Sequence, residues 1–315
     1  MSSGPRVLVL GAEGQLGREL QQSFSGVGEV VTSGRDTLDL ADHEQVRRIV
    51  RNIAPDIILN AAAYTAVDRA ESEKDLAMAV NAGAPGVLAE EAKRLGALLM
   101  HYSTDYVFDG SRADALEETD SPNPLNVYGA SKLAGEQAIK QVGGKFLIFR
   151  TSWVYGPRGN NFLMTMLRLG RERDRLNIVD DQVGAPTTTI ELAHATRSIV
   201  DGILNDRFGS AENWAGIYHM TCGGSVSWCG FAKAIFERGE SLLQGRNPVV
   251  NPIRTSEYPT AAKRPQHRFE SRVSDLCRPA DRSFERRVQW TPGDALRVPS
   301  RAARQRGLAR PARPE

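Results

Sequence analysis

The chain has 315 residues, 41% of them hydrophobic, and a formal net charge of +2 from 40 basic and 38 acidic residues. This length fits one large domain or two, and the balanced charge excludes an overall field that would favour nucleic acid or an anionic membrane. The sequence contains no run of about 18 apolar residues, which is the length needed to span a membrane. The N-terminus lacks a signal-peptide core, and the three cysteines show no CxxC motif or disulfide framework. We therefore expect a cytoplasmic protein with no nucleic-acid or membrane partner.

A glycine-rich turn follows the first apolar run. Arg6–Leu10 reads RVLVL, which predicts a strand buried on both faces. Gly11, Gly14 and Gly17 come next, in GAEGQLG, before a helical segment. This pattern lets the backbone approach a pyrophosphate, and the helix N-terminus adds amide donors. The alternative is an ordinary strand-to-helix turn of an α/β protein.

The end of the second predicted strand, residues 29–32, bears on the choice of cofactor. Dinucleotide folds with an acid at this point bind the ribose 2′-hydroxyl and disfavour a 2′-phosphate. Here Ser33 and Gly34 are followed by Arg35, whose guanidinium can meet a 2′-phosphate. We expect NADPH to be preferred and NADH tolerated, although the neighbouring Asp36 weakens this interpretation.

The next segment predicts a short strand at residues 37–40 and then a helix capped by Asp42, with Gln45 completing a capping box. Asp39 and Leu40 occupy the place where an adenine ring would lie. Residues 55–60 predict another buried strand. The small residues after it let a cofactor pass over its tip; they are Ala61, Ala62 and Ala63.

Strands alternate with helices up to a sixth predicted strand at residues 145–150, which indicates a parallel sheet covered on both faces. The predicted fold class is α/β, a Rossmann-type doubly wound parallel sheet with a smaller, mixed C-terminal substrate-binding domain. The predicted domains are 1–155 for NAD(P) binding, with 177–205 packing back on it, and 156–296 for the substrate. Residues 297–315 read as a basic, disordered tail.

A tyrosine and a lysine stand one helical turn apart, at Tyr128 and Lys132. Thr104 follows a predicted buried strand at residues 97–101, so the three side chains can meet at the carboxyl edge of the sheet. A nearby ammonium should lower the phenol pKa, which would let Tyr128 protonate a carbonyl oxygen as a hydride reaches its carbon. Thr104 would hold the same oxygen. His101 is expected to be a core residue, and Tyr-x-x-x-Lys alone is more often a chance pair.

Together these motifs resemble the extended short-chain dehydrogenase/reductase superfamily and, within it, the dTDP-4-dehydrorhamnose reductase family. The stretches that carry the resemblance span residues 11 to about 265: GAEGQLG, NAAAYTAVDRAESE, HYSTDYVFDG, PLNVYGASKLAGE, FRTSWVYG, GNNF, DQVGAPT and SEYPTAAKRP. The resemblance implies reduction of the C4 ketone of dTDP-4-dehydro-L-rhamnose to dTDP-L-rhamnose by NADPH or NADH.

The resemblance also implies roles for individual residues. Tyr128 would protonate the C4 ketone oxygen, Lys132 would bind the nicotinamide ribose and tune Tyr128, and Thr104 would complete the triad. Asp105 and Trp153 would contact the sugar nucleotide. The implied cofactor contacts are Gly14, Gln15 and Leu16 at the pyrophosphate, Asp39 and Leu40 at the adenine, and Ala63, Tyr64 and Thr65 along the cofactor.

Two departures from the family pattern concern the substrate and a metal. The family's Arg-Pro-x-Asn-Ser motif reads RPQHR here, from Arg264 to Arg268, and a cationic Arg268 can meet the diphosphate instead. Some family members form homodimers around Mg²⁺ held by glutamates. The expected glutamate is displaced here, with Ile190 in its place and Glu191 next. The metal and the homodimer are therefore left open.

Two other functions remain open. One is a nucleotide-sugar epimerase or dehydratase of the same superfamily, although a dehydratase usually needs a second carboxylate where Tyr106 follows Asp105. An epimerase would retain tightly bound NAD⁺. The other is a non-catalytic, reductase-like regulatory subunit of methionine adenosyltransferase. The intact pair of Tyr128 and Lys132 argues against that role, but only weakly.

Overall fold

The structure is a computed structural model that describes residues 4–112 and 114–264. The strands are β1 (Arg6–Leu10), β2 (Glu29–Ser33), β3 (Ile57–Asn60), β4 (Leu98–Thr104), β5 (Phe146–Thr151), β6 (Val154–Tyr155), β7 (Arg175–Val179), β8 (Val183–Gly184), β9 (Thr187–Thr188), β10 (Gly216–His219), β11 (Val226–Ser227) and β12 (Val249–Ile253). The helices are α1 (Gln15–Phe24), α2 (His43–Ile53), α3 (Val67–Ala70), α4 (Lys74–Met78), α5 (Ala84–Leu95), α6 (Val127–Val142), α7 (Phe162–Glu172), α8 (Thr189–Leu204), α9 (Ala211–Trp214) and α10 (Trp228–Arg238). A π-helical turn, Ala79–Gly83, joins α4 to α5, and short 3-10 turns lie at Asp105–Val107, Glu240–Leu242 and Thr255–Glu257.

The largest sheet of the described residues has six parallel strands in the order β2-β1-β3-β4-β5-β10. The chain runs outward from β1 to β2 and then returns to the other side of β1 with β3. Open α/β sheets bind ligands in the crevice at such a reversal, beyond the carboxyl ends of the strands. The predicted Rossmann-type doubly wound α/β fold is confirmed.

Alternation along β1 shows how the sheet is covered on both faces. Val7 and Val9 pack into the apolar layer formed with α1 and α8, whereas Leu8 and Leu10 pack into the layer formed with α2, α5 and α6. All four are at most 1% exposed. Complete burial of each such side chain contributes roughly 1.5–3 kcal/mol, so this strand fixes the position of the glycine turn that follows it.

The predicted strand at residues 37–40 is wrong. Its backbone bends into turns, in which Leu38 N–H donates to the Gly34 carbonyl at 2.9 Å. Asp42 caps α2 as predicted and accepts from Gln45 N–H at 2.9 Å. The capping box is incomplete, because the Gln45 side chain accepts from Asp39 N–H at 2.6 Å and not from the capping residue. Residues 145–150, taken as a sixth strand, therefore fall in the fifth strand of the chain.

A smaller apolar cluster lies outside the large sheet, where α7 and α10 pack with β7 around Leu167, Phe231 and Ile235. Strand β12 pairs with β7 in parallel. Strand β10 pairs with β5 at the edge of the large sheet, although the predicted smaller domain, 156–296, included it.

The division into domains stays a prediction, and the predicted tail lies outside the described residues. Within the described part of the chain, no helix combines the length and the apolar character that crossing a membrane requires.

Candidate active site

The glycine turn is closely packed at the crevice between β1 and β3. Gly11 adopts φ +75°, which favours glycine, and a Cβ on it would lie 2.9 Å from the Ala62 backbone. A Cβ on Gly17 would overlap the Gly11 carbonyl oxygen. Gly14 caps α1 without any side-chain acceptor for the amides of the first turn. Such amides, with the positive end of the helix dipole, suit a pyrophosphate, so the turn fits a dinucleotide.

Gln15 and Leu16, which are also predicted to lie near the pyrophosphate, have different surroundings. Gln15 begins α1 and accepts a hydrogen bond from Asn161 Nδ2 at 2.6 Å, which joins the turn to the start of α7. Leu16 packs against the apolar core. Ala61 and Ala63 are half-buried at the end of β3.

The segment after Ala63 is fixed by polar contacts. The Tyr64 backbone N–H donates to Asn81 Oδ1 at 2.8 Å, and the Tyr64 hydroxyl donates to Glu73 at 2.6 Å. Asn81 lies in the π-helical turn and also donates to Ser131 on α6 at 3.0 Å. Thr65 is exposed. Asn81 therefore links the predicted cofactor strip to the helix that carries the tyrosine and lysine, a role that its sequence position did not reveal.

The adenosine end combines both signs of charge. Arg35 and Asp39 are exposed in the turns that follow β2, and Leu40 packs partly against the core. The Glu13 carboxylate, from the glycine turn, lies against Gly34, where a Cβ would overlap it. The acid missing from the end of β2 is thus replaced in space by Glu13, which sequence reasoning did not identify.

Thr104 and Tyr128 meet where β4 ends and α6 begins. Asn126 caps α6 and accepts from Gly129 N–H at 2.7 Å. A Cβ on Gly129 would overlap the Tyr106 carbonyl oxygen, so glycine permits the close approach of α6 to the turn after β4. The Thr104 hydroxyl takes part in a hydrogen bond with the Tyr128 side chain. It also accepts from Tyr106 N–H at 3.2 Å.

The expectation that Lys132 lowers the pKa of Tyr128 is wrong for this structure. Burial raises the pKa of Tyr128 above its ordinary value, the hydrogen bond with Thr104 acts in the opposite direction, and the charges of Asp105 and Tyr106 raise it further. The phenol is therefore fully protonated at neutral pH, as a proton donor must be.

The Lys132 amine is held by β4 at a distance from solvent. Its side chain is buried, with Nζ 2.6 Å from the Tyr102 carbonyl oxygen and 3.1 Å from His101 Nε2. Burial lowers the pKa of Lys132 to about 8, against the opposing charge of Glu136. The lysine is therefore close to titration at neutral pH, whereas an exposed lysine is fully charged.

Two buried carboxylates near the triad have different partners. Asp105 is buried and accepts from the Thr104 hydroxyl at 3.0 Å; burial raises its pKa to about 7, against its hydrogen bonds. Glu136, one turn beyond the lysine on α6, forms a buried ion pair with Arg150, at 2.7 Å from Nη2, and accepts from Ser103 at 2.5 Å. Sequence reasoning missed this pair; the only available signal was the position of Glu136 on the helix face that carries the tyrosine.

Trp153 lies in the aromatic cluster at the start of the smaller apolar region. It adopts φ +46°, which is rare for a bulky residue, and stacks on Trp228 with centroids 3.4 Å apart and rings at 5°. Phe162 packs on the other member of the pair at 4.5 Å. The side chain is half-buried, so Trp153 packs within this aromatic cluster and still has a surface that a ligand can contact.

Arg264 reaches the site through a second tyrosine. Its guanidinium pairs with Asp68 at 2.7 Å and donates to the Tyr106 hydroxyl at 3.3 Å. The Tyr106 ring meets Tyr128 edge-on at 5.4 Å between centroids. Arg264 therefore contacts Tyr106, whose ring in turn contacts Tyr128. Arg268 lies outside the described residues.

Within residues 4–112 and 114–264, no group of three or more His, Cys, Asp or Glu is arranged to hold a metal ion. The backbone N–H of Glu191 donates to Thr188 Oγ1 at the start of α8. In this part of the chain, no ligand cluster supports a Mg²⁺ site, and binding of Mg²⁺ stays an open prediction.

Comparison with known proteins agrees with this geometry. Residues 5–275 match the family described as RmlD substrate binding domain. A dTDP-4-dehydrorhamnose reductase from Burkholderia thailandensis is 48% identical over 264 residues, covering 82% of this chain and 88% of that protein. One from Salmonella typhimurium is 43% identical over 264 residues, covering 82% and 87%. The crystal structure of the Bacillus anthracis reductase in complex with NADP superposes with a TM-score of 0.77 at 39% identity, covering 87% of this chain and 92% of that one. The chain therefore belongs to the RmlD family of dTDP-4-dehydrorhamnose reductases.

Proposed function

We propose that this protein reduces the C4 ketone of dTDP-4-dehydro-L-rhamnose to dTDP-L-rhamnose, the final step of dTDP-rhamnose synthesis. NADPH or NADH, when bound, supplies the hydride. The observation that carries the proposal is the meeting of Thr104 and Tyr128 at the carboxyl end of β4, with Lys132 one turn further along α6. The relatives named as reductases give the substrate class.

Tyr128 is the proposed proton donor. As a hydride from the bound cofactor reached the ketone carbon, the phenol would give its proton to the ketone oxygen; the products would be the alcohol, the oxidised cofactor and a phenolate that solvent reprotonates. The raised pKa of Tyr128 keeps the proton on the phenol until the oxygen becomes basic. Thr104 supports the same oxygen with a hydrogen bond. Lys132 would bind the nicotinamide ribose through its Nζ.

The cofactor contacts are proposed from the shape of the crevice. The turn from Gly11 to Gly17 and the amides of α1 would hold the pyrophosphate, and the half-buried small residues after β3 would lie along the cofactor. Arg35 would favour NADPH through its 2′-phosphate, while Glu13 would oppose it. We therefore propose that both cofactors are used, with NADPH preferred.

The sugar nucleotide would lie near the carboxyl end of β4, beside the smaller apolar cluster. Asp105, Trp153 and Arg264 are its proposed contacts, with Arg268 meeting the diphosphate. A cytoplasmic location and a homodimer belong to the same proposal. The location follows from the cysteine pattern and the homodimer from the family.

The test is turnover of dTDP-4-dehydro-L-rhamnose with NADPH, followed by loss of the reduced-nicotinamide absorbance and identification of the product. Tyr128→Phe should lower kcat roughly 10²–10⁴-fold, because it removes only the transferable proton. Tyr106→Phe is the matched control, since it removes the hydroxyl of the neighbouring ring, and should retain most of kcat. Absence of NADPH consumption by the native protein would reject the reductase, and tightly bound NAD⁺ without net oxidation would favour an epimerase.

A further inference from the structure

A continuous line of buried polar contacts runs beneath the site, from β3 through β4 to α6. Ala62 N–H donates to Asn60 Oδ1 at 3.3 Å, and Asn60 Nδ2 lies 3.0 Å from His101 Nδ1. His101 Nε2 lies 3.1 Å from Lys132 Nζ, which is 2.6 Å from the Tyr102 carbonyl oxygen. Asn60, His101 and Lys132 are each 1% exposed, so bulk solvent does not reach these side chains.

The Ala62 N–H orients the amide at the Asn60 end of this line. The Asn60 oxygen is used by the Ala62 N–H, so the amide NH₂ faces the ring and donates to His101 Nδ1. A neutral imidazole carries one N–H, and with Nδ1 accepting, that hydrogen must lie on Nε2. Nε2 then points its N–H at the nitrogen of Lys132. A neutral amine can accept this hydrogen with its lone pair, whereas an ammonium has donors only.

The ring itself is neutral. Burial is the larger cause that holds the pKa of His101 well below its ordinary value, and the ammonium form of Lys132 lowers it further. A protonated imidazole would also place a second N–H against the Asn60 amide. The alternative neutral tautomer, with its hydrogen on Nδ1, would create the same conflict between two donors, and an unsatisfied buried donor is costly.

We propose that Asn60 and His101 form a positioning pair that anchors the Lys132 amine against β4 and favours its neutral form. This deepens the proposed function, on which its catalytic consequence rests. In the neutral form the amine accepts from His101, donates to the Tyr102 carbonyl and keeps one N–H for the cofactor ribose. In the charged form one donor–donor contact must persist along the line, between Lys132 and His101 or between His101 and Asn60.

The other groups around the lysine set the size of this effect. On α6, the Glu136 charge favours the ammonium, but Glu136 is itself engaged by Arg150 from β5 and by Ser103 from β4. Tyr128, on the preceding turn of the same helix, is a neutral phenol until it transfers its proton. The Tyr102 hydroxyl is turned away and bonds Thr196 of α8 at 2.6 Å.

Asp105 is a second buried acid near the site, and burial brings its pKa to about 7. Burial and the hydrogen-bond polarity of Asn60 and His101 therefore oppose the ammonium form of Lys132. The charge of Glu136 favours it, but that carboxylate already bonds Arg150 and Ser103. Because a charged donor forms a stronger hydrogen bond than a neutral one, the ammonium would hold the cofactor ribose more tightly than the neutral amine, and loss of the lysine charge at high pH should lower turnover. The basic limb of the pH profile should then report the titration of Lys132.

Asn60→Asp reverses the polarity with almost no change in shape. A carboxylate accepts from both Ala62 N–H and a hydrogen on His101 Nδ1, which leaves Nε2 free to accept from an ammonium. The measurement is an NMR pH titration of the full chain labelled with ¹³C-lysine, without added cofactor. The chain has seven lysines, and the signal that disappears in Lys132→Arg identifies Lys132. The midpoint for Lys132 should rise by about one pH unit or more in Asn60→Asp.

Asn81→Asp is the matched control, because this second buried asparagine bonds Tyr64 and Ser131 and makes no contact with His101. It adds the same charge near α6 and should shift the midpoint much less. His101→Gln is a second, independent variant, since its amide oxygen can accept from the ammonium; the midpoint should again rise. If Asn60→Asp does not fold, His101→Gln decides the question.

An unchanged or lowered midpoint in these variants would overturn the proposal, as would an equal rise in Asn60→Asp and Asn81→Asp. The basic limb of the kcat/KM profile should move with the midpoint, whereas a merely structural defect would lower the rate at every pH. The NMR titration does not depend on sugar turnover. A protein that fails to reduce the ketone but shows the shift would refute the proposed function and leave the Asn60–His101 pair standing.

Discussion

Removing the buried acid of α6 should destabilise the protein more than removing a surface acid. Glu136 and Arg150 have side chains only 1% and 2% exposed, and the guanidinium donates to the carboxylate from Nε at 3.0 and 3.2 Å and from Nη2 at 2.7 Å. Ser103 adds a bond of 2.5 Å. In Glu136→Gln the guanidinium stays buried without an opposite charge, and an amide NH₂ replaces one acceptor. Breaking a buried pair in this way costs about 3–5 kcal/mol.

Urea denaturation, followed by circular dichroism, measures this change. With a slope of roughly 3 kcal/mol per molar for a chain of this size, the unfolding midpoint should fall by about 1 M or more. Replacing both partners, as Glu136→Leu with Arg150→Met, should recover part of the loss, because neither charge then remains buried alone.

The matched control is Glu172→Gln on α7, where Arg168 and Glu172 form an exposed pair one turn apart at 3.1 Å. Such pairs contribute about 0–1 kcal/mol, so its midpoint should hardly move. Equal shifts in Glu136→Gln and Glu172→Gln would refute the reasoning, since burial would then make no difference to the value of the ion pair.

Three further outcomes follow from the site. The raised pKa of Asp105, about 7, lies above the ordinary value of 3.8, so the stability that its protonated form provides is complete below about pH 4 and lost as the pH rises through 7. Thermal unfolding should therefore show Asp105→Asn as stable as the native protein at pH 4 and more stable above pH 7; a constant difference across that range would contradict the assignment. Gly17→Ala forces a Cβ onto the Gly11 carbonyl and should weaken NADPH binding by calorimetry at least about tenfold, or roughly 1.4 kcal/mol; unchanged affinity would show that the turn does not hold the pyrophosphate. Arg35→Ala should lower the ratio of kcat/KM for NADPH to that for NADH, and an unaltered ratio would remove Arg35 from the 2′-phosphate contact.

Local patterns were sufficient for the elements that position the site. The run RVLVL, the glycine turn and the cap at Asp42 each depend on residues close in sequence, and the structure contains all of them. The strand predicted at residues 37–40 failed, because its backbone groups bond within turns and to the Gln45 side chain. Pairing of β10 with β5 was also missed, since a short edge strand carries no sign of its partner.

The sequence by itself determined the fold class, the glycine turn and the spacing of Tyr128 and Lys132, because apolar periodicity and helical geometry act over a few residues. Only the tertiary structure decided the surroundings of the ionisable groups. Burial raises the pKa of Tyr128, the Lys132 amine contacts His101, and Glu136 pairs with Arg150. Desolvation and hydrogen-bond polarity depend on groups brought together from distant strands and helices, and one-dimensional spacing does not specify them.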